Sequence, residues 1–347
     1  MDKAKAVRHG EELNWDKLEI YLREGMSKLE GKMEVAQFHG GHANLTYLIK
    51  FGNRELVLRR PPFGKIAPGA HDMKREYKVL SRLYAYFPQA PRAFLLCEDD
   101  SVIGAKFVVM ERRTGVVVRY KVPEVFKSFE NVEERLTKAL MKTTADLHKV
   151  DVDAAGLSDL GRPEGFVNRQ LEGWEKRWHL SKTEENPDMD KVVELLTADI
   201  PVPQAVAIIH NDIKLDNCQF QPDNPDQVTS FFDWDMTTLG DPLIDFGSAL
   251  SYWPDPRTNH IKNMPIMLEG PFPPKSFLIE KYGEFTGFSM ENIDWYQSFA
   301  YWKNAIILQQ LYKRFVDGAT KDKRMEALGD LAKVMGAIAR QIAESRN

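Results

Sequence analysis

Apolar residues recur at two different periods along this chain, and the switch between them divides it. Over 15–29 the apolar positions Leu18, Tyr21, Leu22, Met26 and Leu29 follow a helical spacing. Three short runs of strand character come next, over 33–38, 46–51 and 55–59. A Gly-Gly-His-Ala-Asn segment at 40–44 joins the first two, and a Gly52-Asn53 turn joins the second pair. The period returns to helical over 72–83, with Tyr77, Leu80 and Leu83 on one side, before two further strand candidates at 93–97 and 106–110. After Arg113-Thr114-Gly115 the pattern is mainly helical: an amphipathic helix over 134–149, an aromatic one over 169–180, and long ones over 295–315 and 325–344. A short apolar run at 205–209 reads as a buried strand. The expectation is an α+β chain with a small five-stranded antiparallel lobe over residues 1–112 and a larger, mainly helical lobe over 113–347.

Composition narrows the class. At 347 residues the chain exceeds the size one core usually serves, so two lobes are the natural expectation. It is 43% hydrophobic and 28% charged, with a formal net charge of −4, and basic and acidic residues are interspersed. No basic stripe marks a nucleic-acid partner. No apolar run is long enough to span a bilayer, and the N-terminus lacks the apolar core of a signal peptide. Two cysteines, Cys97 and Cys218, do not make a disulfide framework. A cytoplasmic protein is expected.

The densest chemistry lies at 210–217, His-Asn-Asp-Ile-Lys-Leu-Asp-Asn, followed by Asp233-Trp234-Asp235. Kinase catalytic loops place a base Asp five residues before an Asn that meets a magnesium ion, with a separate Asp for the other metal contact. Asp212 and Asn217 stand at that offset, Lys214 lies two beyond the Asp, and Asp233 follows one strand later. Asp212 and Lys214 are therefore the catalytic candidates, and Asn217 and Asp233 the metal candidates. Magnesium takes oxygen ligands and usually only one or two protein carboxylates beside substrate phosphates, which this pair satisfies. An Asx-rich turn alone would not need the His, the Lys and the later Asp.

Upstream, Gly40, Gly41 and Asn44 sit between two strands, where backbone N–H groups can cradle phosphate; a glycine pair there is equally an ordinary turn. Arg59 ends the third strand and Glu76 lies on the next helix, in the places where kinases pair a Lys with a Glu. Arg serves because its fork meets phosphate with two parallel donors. Strand alternation puts Val57 and Arg59 on one face and turns Arg60 away; the alternative is that both arginines are solvated charges. The segment 110–113, with Glu111 and Arg113, occupies the place of an interlobe hinge that would bond an adenine.

With these residues in hand, the chain resembles the aminoglycoside phosphotransferase and choline kinase superfamily from about residue 40 to 253. The branch it most resembles is related to the N-terminal domain of certain acyl-CoA dehydrogenases. Further matching features are Gly165, Arg169-Gln170, Trp174 and Gly240-Asp241-Pro242. The resemblance implies a bilobal protein-kinase-like fold, ATP and Mg2+ as cofactors, Asp212 as base, and Asp245 as a buried buttress of the catalytic loop. Lys214 departs from the His or Pro common in the superfamily. The short stretch from Asp233 to Gly240 leaves no room for an activation loop, so a small hydroxylated molecule is the expected acceptor. Asp235 serves either a second metal or the acceptor. Arg169, Trp174 and Trp178 are acceptor-side candidates, with interhelical packing of the two tryptophans an equal alternative. Arginines beside large rings suit an anionic or partly apolar acceptor, such as a hydroxyacyl compound or its CoA thioester. An aminoglycoside or amino-alcohol acceptor, or a catalytically silent nucleotide binder, are the competing readings.

Overall fold

The computed structural model describes residues 4–40, 44–64, 71–258, 268–320 and 322–346. Helix α1 (Trp15–Gly25) starts where the Asn14 side chain accepts from the Lys17 N–H. It stops four residues earlier than its apolar spacing suggests. The Arg23 guanidinium donates to the carbonyls of Leu29 and Gly31, and these bonds hold the following chain folded back on the helix.

Strands β1 (Met33–Phe38), β2 (Leu45–Phe51) and β3 (Arg54–Arg60) form an antiparallel meander, and helix α2 (Met73–Leu83) follows. Strands β4 (Ala93–Cys97) and β5 (Phe107–Glu111) complete a five-stranded antiparallel sheet in the order β1-β2-β3-β5-β4. Gly52 takes the left-handed conformation that the tight β2–β3 turn requires (φ +54°). Leu56 and Leu58 enter a core with Leu18 and Leu22 of α1. Val57 points to the other face and packs against the core that holds Val79, Leu80 and Leu83 of α2.

The larger part comprises α3 (Val132–His148), α4 (Phe166–Ser181), α5 (Pro187–Ala198), β6 (Ala207–Ile209), β7 (Cys218–Gln221), β8 (Asn224–Phe231) and β9 (Thr238–Gly240). Helices α6 (Pro242–Ser251), α7 (Lys275–Thr286), α8 (Ile293–Val316) and α9 (Leu328–Glu344) follow. The kinase-like α+β architecture is as expected. Helix α5 and helix α7 are additions to the sequence reading. Strand β6 is shorter than the apolar run because Val206 is exposed, and α9 begins three residues late, after a short 3-10 turn over Lys323–Met325. Among the described residues no helix is long and apolar enough to cross a membrane.

Candidate active site

The loop over 210–217 is held from behind by Asp245 of α6. Asp241 caps that helix, accepting from the Leu243 N–H (2.9 Å) and the Tyr296 hydroxyl (2.6 Å), with Pro242 at the first helical position. The Asp245 carboxylate, fully buried, accepts from the backbone N–H groups of His210 (2.6 Å) and Asn211 (2.7 Å) and lies 3.2 Å from His148 Nε2. Burial opposes its ionisation, but the His148 hydrogen bond and the charges of His148 and His210 hold it below its ordinary value. The His210 ring faces the Phe232 carbonyl (3.1 Å) and lies tilted against Trp234 (4.8 Å between centroids), so it braces the loop. Asn211 is left-handed (φ +69°), a conformation that Asn tolerates.

That bracing presents Asp212. Its carboxylate accepts from Asn217 Nδ2 (2.6 Å) and lies 3.0 Å from Lys214 Nζ. Burial works against the Lys214 charge, yet Asp212 and Asp216 outweigh it and hold the ammonium's pKa above its ordinary value. Because Asn217 donates through its nitrogen, its amide oxygen is left as an acceptor.

Asp233 follows β8 in a left-handed conformation (φ +76°). Its carboxylate meets Arg59 at 2.5 Å, and the other arm of Arg59 lies 3.0 Å from Glu76. Burial would raise the Asp233 pKa, but Arg59 overrides it and the carboxyl stays below its ordinary value. Glu76, fully buried on α2, is pushed up to about 7 by burial, with Arg59 offsetting only part of that rise. Arg60 turns to the opposite face of β3, as alternation predicts, but it is no solvated charge. It is 2% exposed and donates to the Ile103 carbonyl at 3.1 Å.

These groups converge on one cleft of about 420 Å³. Gly40, Asn44, Arg59 and Glu76 line it from the sheet side, Glu111 and Arg113 from the hinge segment. Asp212, Lys214, Asn217 and Asp233 line it from the loop over 210–217 and the end of β8. Glu111 accepts from the Arg92 N–H and pairs with Arg113 (3.1 Å each). Gly41 lies outside the described residues. The donor set fits magnesium: one carboxylate and one amide oxygen suit an ion that phosphate oxygens complete. Among the described residues no three His, Cys, Asp or Glu side chains form a metal site by themselves.

The acceptor-side candidates are not gathered in this cleft. Asp235 accepts from Asn44 Nδ2 at 3.1 Å and lies 3.7 Å from His71, so it faces the small lobe. The half-buried Arg169 donates to the carbonyls of Glu164 and Arg162. Trp178 is packed between α4 and α5, its indole N–H on Asp190 (3.1 Å). Trp174 is buried against Arg177 and Lys303. Sequence reasoning missed two cations. Arg119 lies beneath Gly40 so closely that a Cβ there would come 2.5 Å from its guanidinium, and no motif marked it. Lys303 had a signal, a lone lysine inside an apolar stretch of α8.

Residues 34–264 match the phosphotransferase enzyme family. The chain belongs to this family. Mouse acyl-CoA dehydrogenase family member 10 is 30% identical over 345 residues, covering 96% of this chain and 32% of that protein. The chain thus spans about a third of the length of that curated relative. A structure of a Ralstonia eutropha protein assigned to the aminoglycoside phosphotransferases superposes with a TM-score of 0.80 at 28% identity, covering 96% of this chain and 99% of the other. A thermostable mutant of an aminoglycoside phosphotransferase, in ternary complex with ADP and hygromycin B, shares the fold with a TM-score of 0.59 at 14% identity. That match covers 93% of this chain and 97% of the other.

Proposed function

We propose that this phosphotransferase is an ATP- and magnesium-dependent kinase that phosphorylates a hydroxyl group of a small molecule. The observation that carries the reading is the convergence of Asp212, Lys214 and Asn217 with Asp233 and its partner Arg59 across one cleft. Asp212 orients the acceptor hydroxyl and takes its proton as the oxygen attacks the γ-phosphorus and the bond from that phosphorus to the bridging oxygen breaks, releasing ADP. Lys214 offsets charge on the transferring phosphoryl group, which is where most of the catalytic stabilisation of such reactions is needed. Arg59, held by Glu76, clamps the nucleotide phosphates beneath Gly40 and Asn44, and the segment 110–113 bonds the base through its backbone. Asn217 and Asp233 would hold magnesium, which would supply positive charge to offset that of the phosphates.

The acceptor we favour is a hydroxyacyl compound, free or as its CoA thioester. The mouse relative's name as an acyl-CoA dehydrogenase family member supports it, as does the mixture of cations and rings on α4. Two buried free thiols, Cys97 and Cys218, suit a reducing compartment such as the cytoplasm.

The test is acceptor-dependent ADP release in a panel of hydroxyacyl-CoA thioesters, hydroxy acids, kanamycin-type aminoglycosides, choline and homoserine. Turnover of hydroxyacyl compounds is expected. Efficient phosphorylation of an aminoglycoside with none of any hydroxyacyl compound would refute the acceptor assignment, and no ADP release with any acceptor would refute the kinase.

A further inference from the structure

Lys303 lies in the interior of α8 and is only 6% exposed. Its ammonium makes no hydrogen bond or ion pair with any described residue; its contact is the ring of Trp174, 5.5 Å away. A buried charge without a counter-ion is costly and is rarely retained without one. A cation–π contact recovers part of that cost and leaves three N–H donors unused. Trp174 repeats the anomaly. It is 8% exposed, and its indole N–H is buried with no acceptor. Arg177, one turn along α4, brings a third group to the same ring, its guanidinium carbon 4.3 Å from the centroid. The cluster therefore offers donors only.

Its position relates it to the catalytic base. Asn304, the next residue, donates to Ser251 Oγ (2.9 Å), which fixes this turn of α8 against the end of α6. The following residue of α6's terminus is Tyr252, whose ring lies 5.3 Å from the Lys214 ammonium. Burial depresses the Lys303 pKa, and the largest opposing influence is Asp212, ahead of Asp245, with Arg177 reinforcing burial. The Asn304–Ser251 bond and the neighbouring Tyr252 thus bring the unsatisfied donors towards the Lys214 end of the cleft.

We infer that Lys303, with the indole N–H of Trp174, forms a subsite for a carboxyl-derived oxygen of the acceptor, and that this subsite selects hydroxy acids or their thioesters over amino alcohols. The inference rests on the kinase reading above for the identity of the cleft, and it adds the residues that choose the acceptor. A carboxylate or thioester carbonyl oxygen would satisfy both orphan donors at once, which a plain alcohol does not do. An ammonium-bearing acceptor would meet Lys303 and Arg177 as like charges, and such juxtapositions are a strong means of rejecting wrong partners.

The experiment is calorimetric binding to protein saturated with AMP-PNP and magnesium. The probes are butyrates hydroxylated at carbon 2, 3 or 4, their CoA thioesters, the matched butanediols and the matched aminobutanols. At least one acid or thioester should bind about tenfold or more tighter than its diol, with the aminobutanol weakest. Whether the acid or its thioester binds tighter identifies the source of the oxygen. Lys303→Met should abolish the preference, Lys303→Arg should retain part of it, and Trp174→Phe, which keeps the ring but removes the N–H, should weaken it. AMP-PNP affinity and melting temperature report that each variant is folded. Equal discrimination by wild type and Lys303→Met overturns the subsite, as does a wild type that prefers diols or aminobutanols or binds none of the series. Discriminating binding without ADP release from ATP would leave the subsite standing and defeat the kinase reading.

Discussion

At the scale of single residues, Asp212 and Arg59 carry the sharpest expectations. Asp212→Asn keeps the size and the hydrogen bond with Asn217 but loses the carboxylate that would accept the proton. Turnover should fall by about 10²- to 10⁴-fold while ATP affinity stays near wild type. A coupled ADP assay beside calorimetry measures both, and wild-type turnover would remove Asp212 from the chemistry. Arg59 and Arg60 are neighbours with different surroundings. Arg59 bridges Glu76 and Asp233 in the cleft, whereas Arg60 is buried behind the sheet and bonded to the Ile103 carbonyl. Arg59→Ala should weaken ATP binding tenfold or more. Arg60→Ala should leave it nearly unchanged and destabilise the fold by about 1–3 kcal/mol, because a buried carbonyl loses its donor. Equal losses of ATP affinity would contradict the two-faced strand.

At the scale of elements, α2 shows a cleft-lining carboxyl imposing a cost on the fold. Asp72 caps this helix, accepting from the Arg75 N–H, and so brings Glu76 into the first turn beneath the sheet. Burial then lifts the Glu76 pKa from its ordinary 4.5 to about 7 despite Arg59. A carboxyl raised in the native state stabilises the fold below its unfolded value, and that contribution is lost as pH rises through the native value. From about pH 5 to pH 8 the wild type should therefore lose about 1–3 kcal/mol more stability than Glu76→Gln does. Denaturant melts across that range would show converging curves, and parallel curves would place the Glu76 titration elsewhere. The same variant should weaken ATP binding at pH 8, since Arg59 loses the charge that positions it.

At the scale of the whole molecule, the two lobes are joined across the cleft by an ion pair and a hydrogen bond. Arg59–Asp233 and Asn44–Asp235 connect the sheet to the segment after β8 over 174 and 191 residues of sequence. A nucleotide bound between the lobes should stabilise both. AMP-PNP with magnesium at a hundred times its Kd should contribute about 2.7 kcal/mol to the wild type. In Asp233→Ala, adding magnesium should give no increment over the nucleotide alone. A magnesium-dependent increment of wild-type size in that variant, read by thermal shift, would move the metal away from Asp233.

What was legible in the chain by itself is what short-range rules govern. Strand alternation separated Arg59 from Arg60, and the offset of Asp212 from Asn217 marked two side chains that meet across one loop. Each depends on geometry within a few residues, where backbone sterics and local hydrogen bonds decide. Helix α5 escaped that reading, because its apolar positions, Met189, Val192 and Leu196, gain meaning only from the helices packed on them. The surroundings of Trp174 and Lys303 were decided by tertiary structure alone. Arg169 and Trp174 stand five residues apart on one helix, yet one holds backbone carbonyls at the surface and the other lies buried against Lys303. Composition cannot distinguish a cation that finds its partners in the adjoining loop from one that packing leaves without any. That distinction depends on which helices meet, through contacts between residues more than a hundred positions apart.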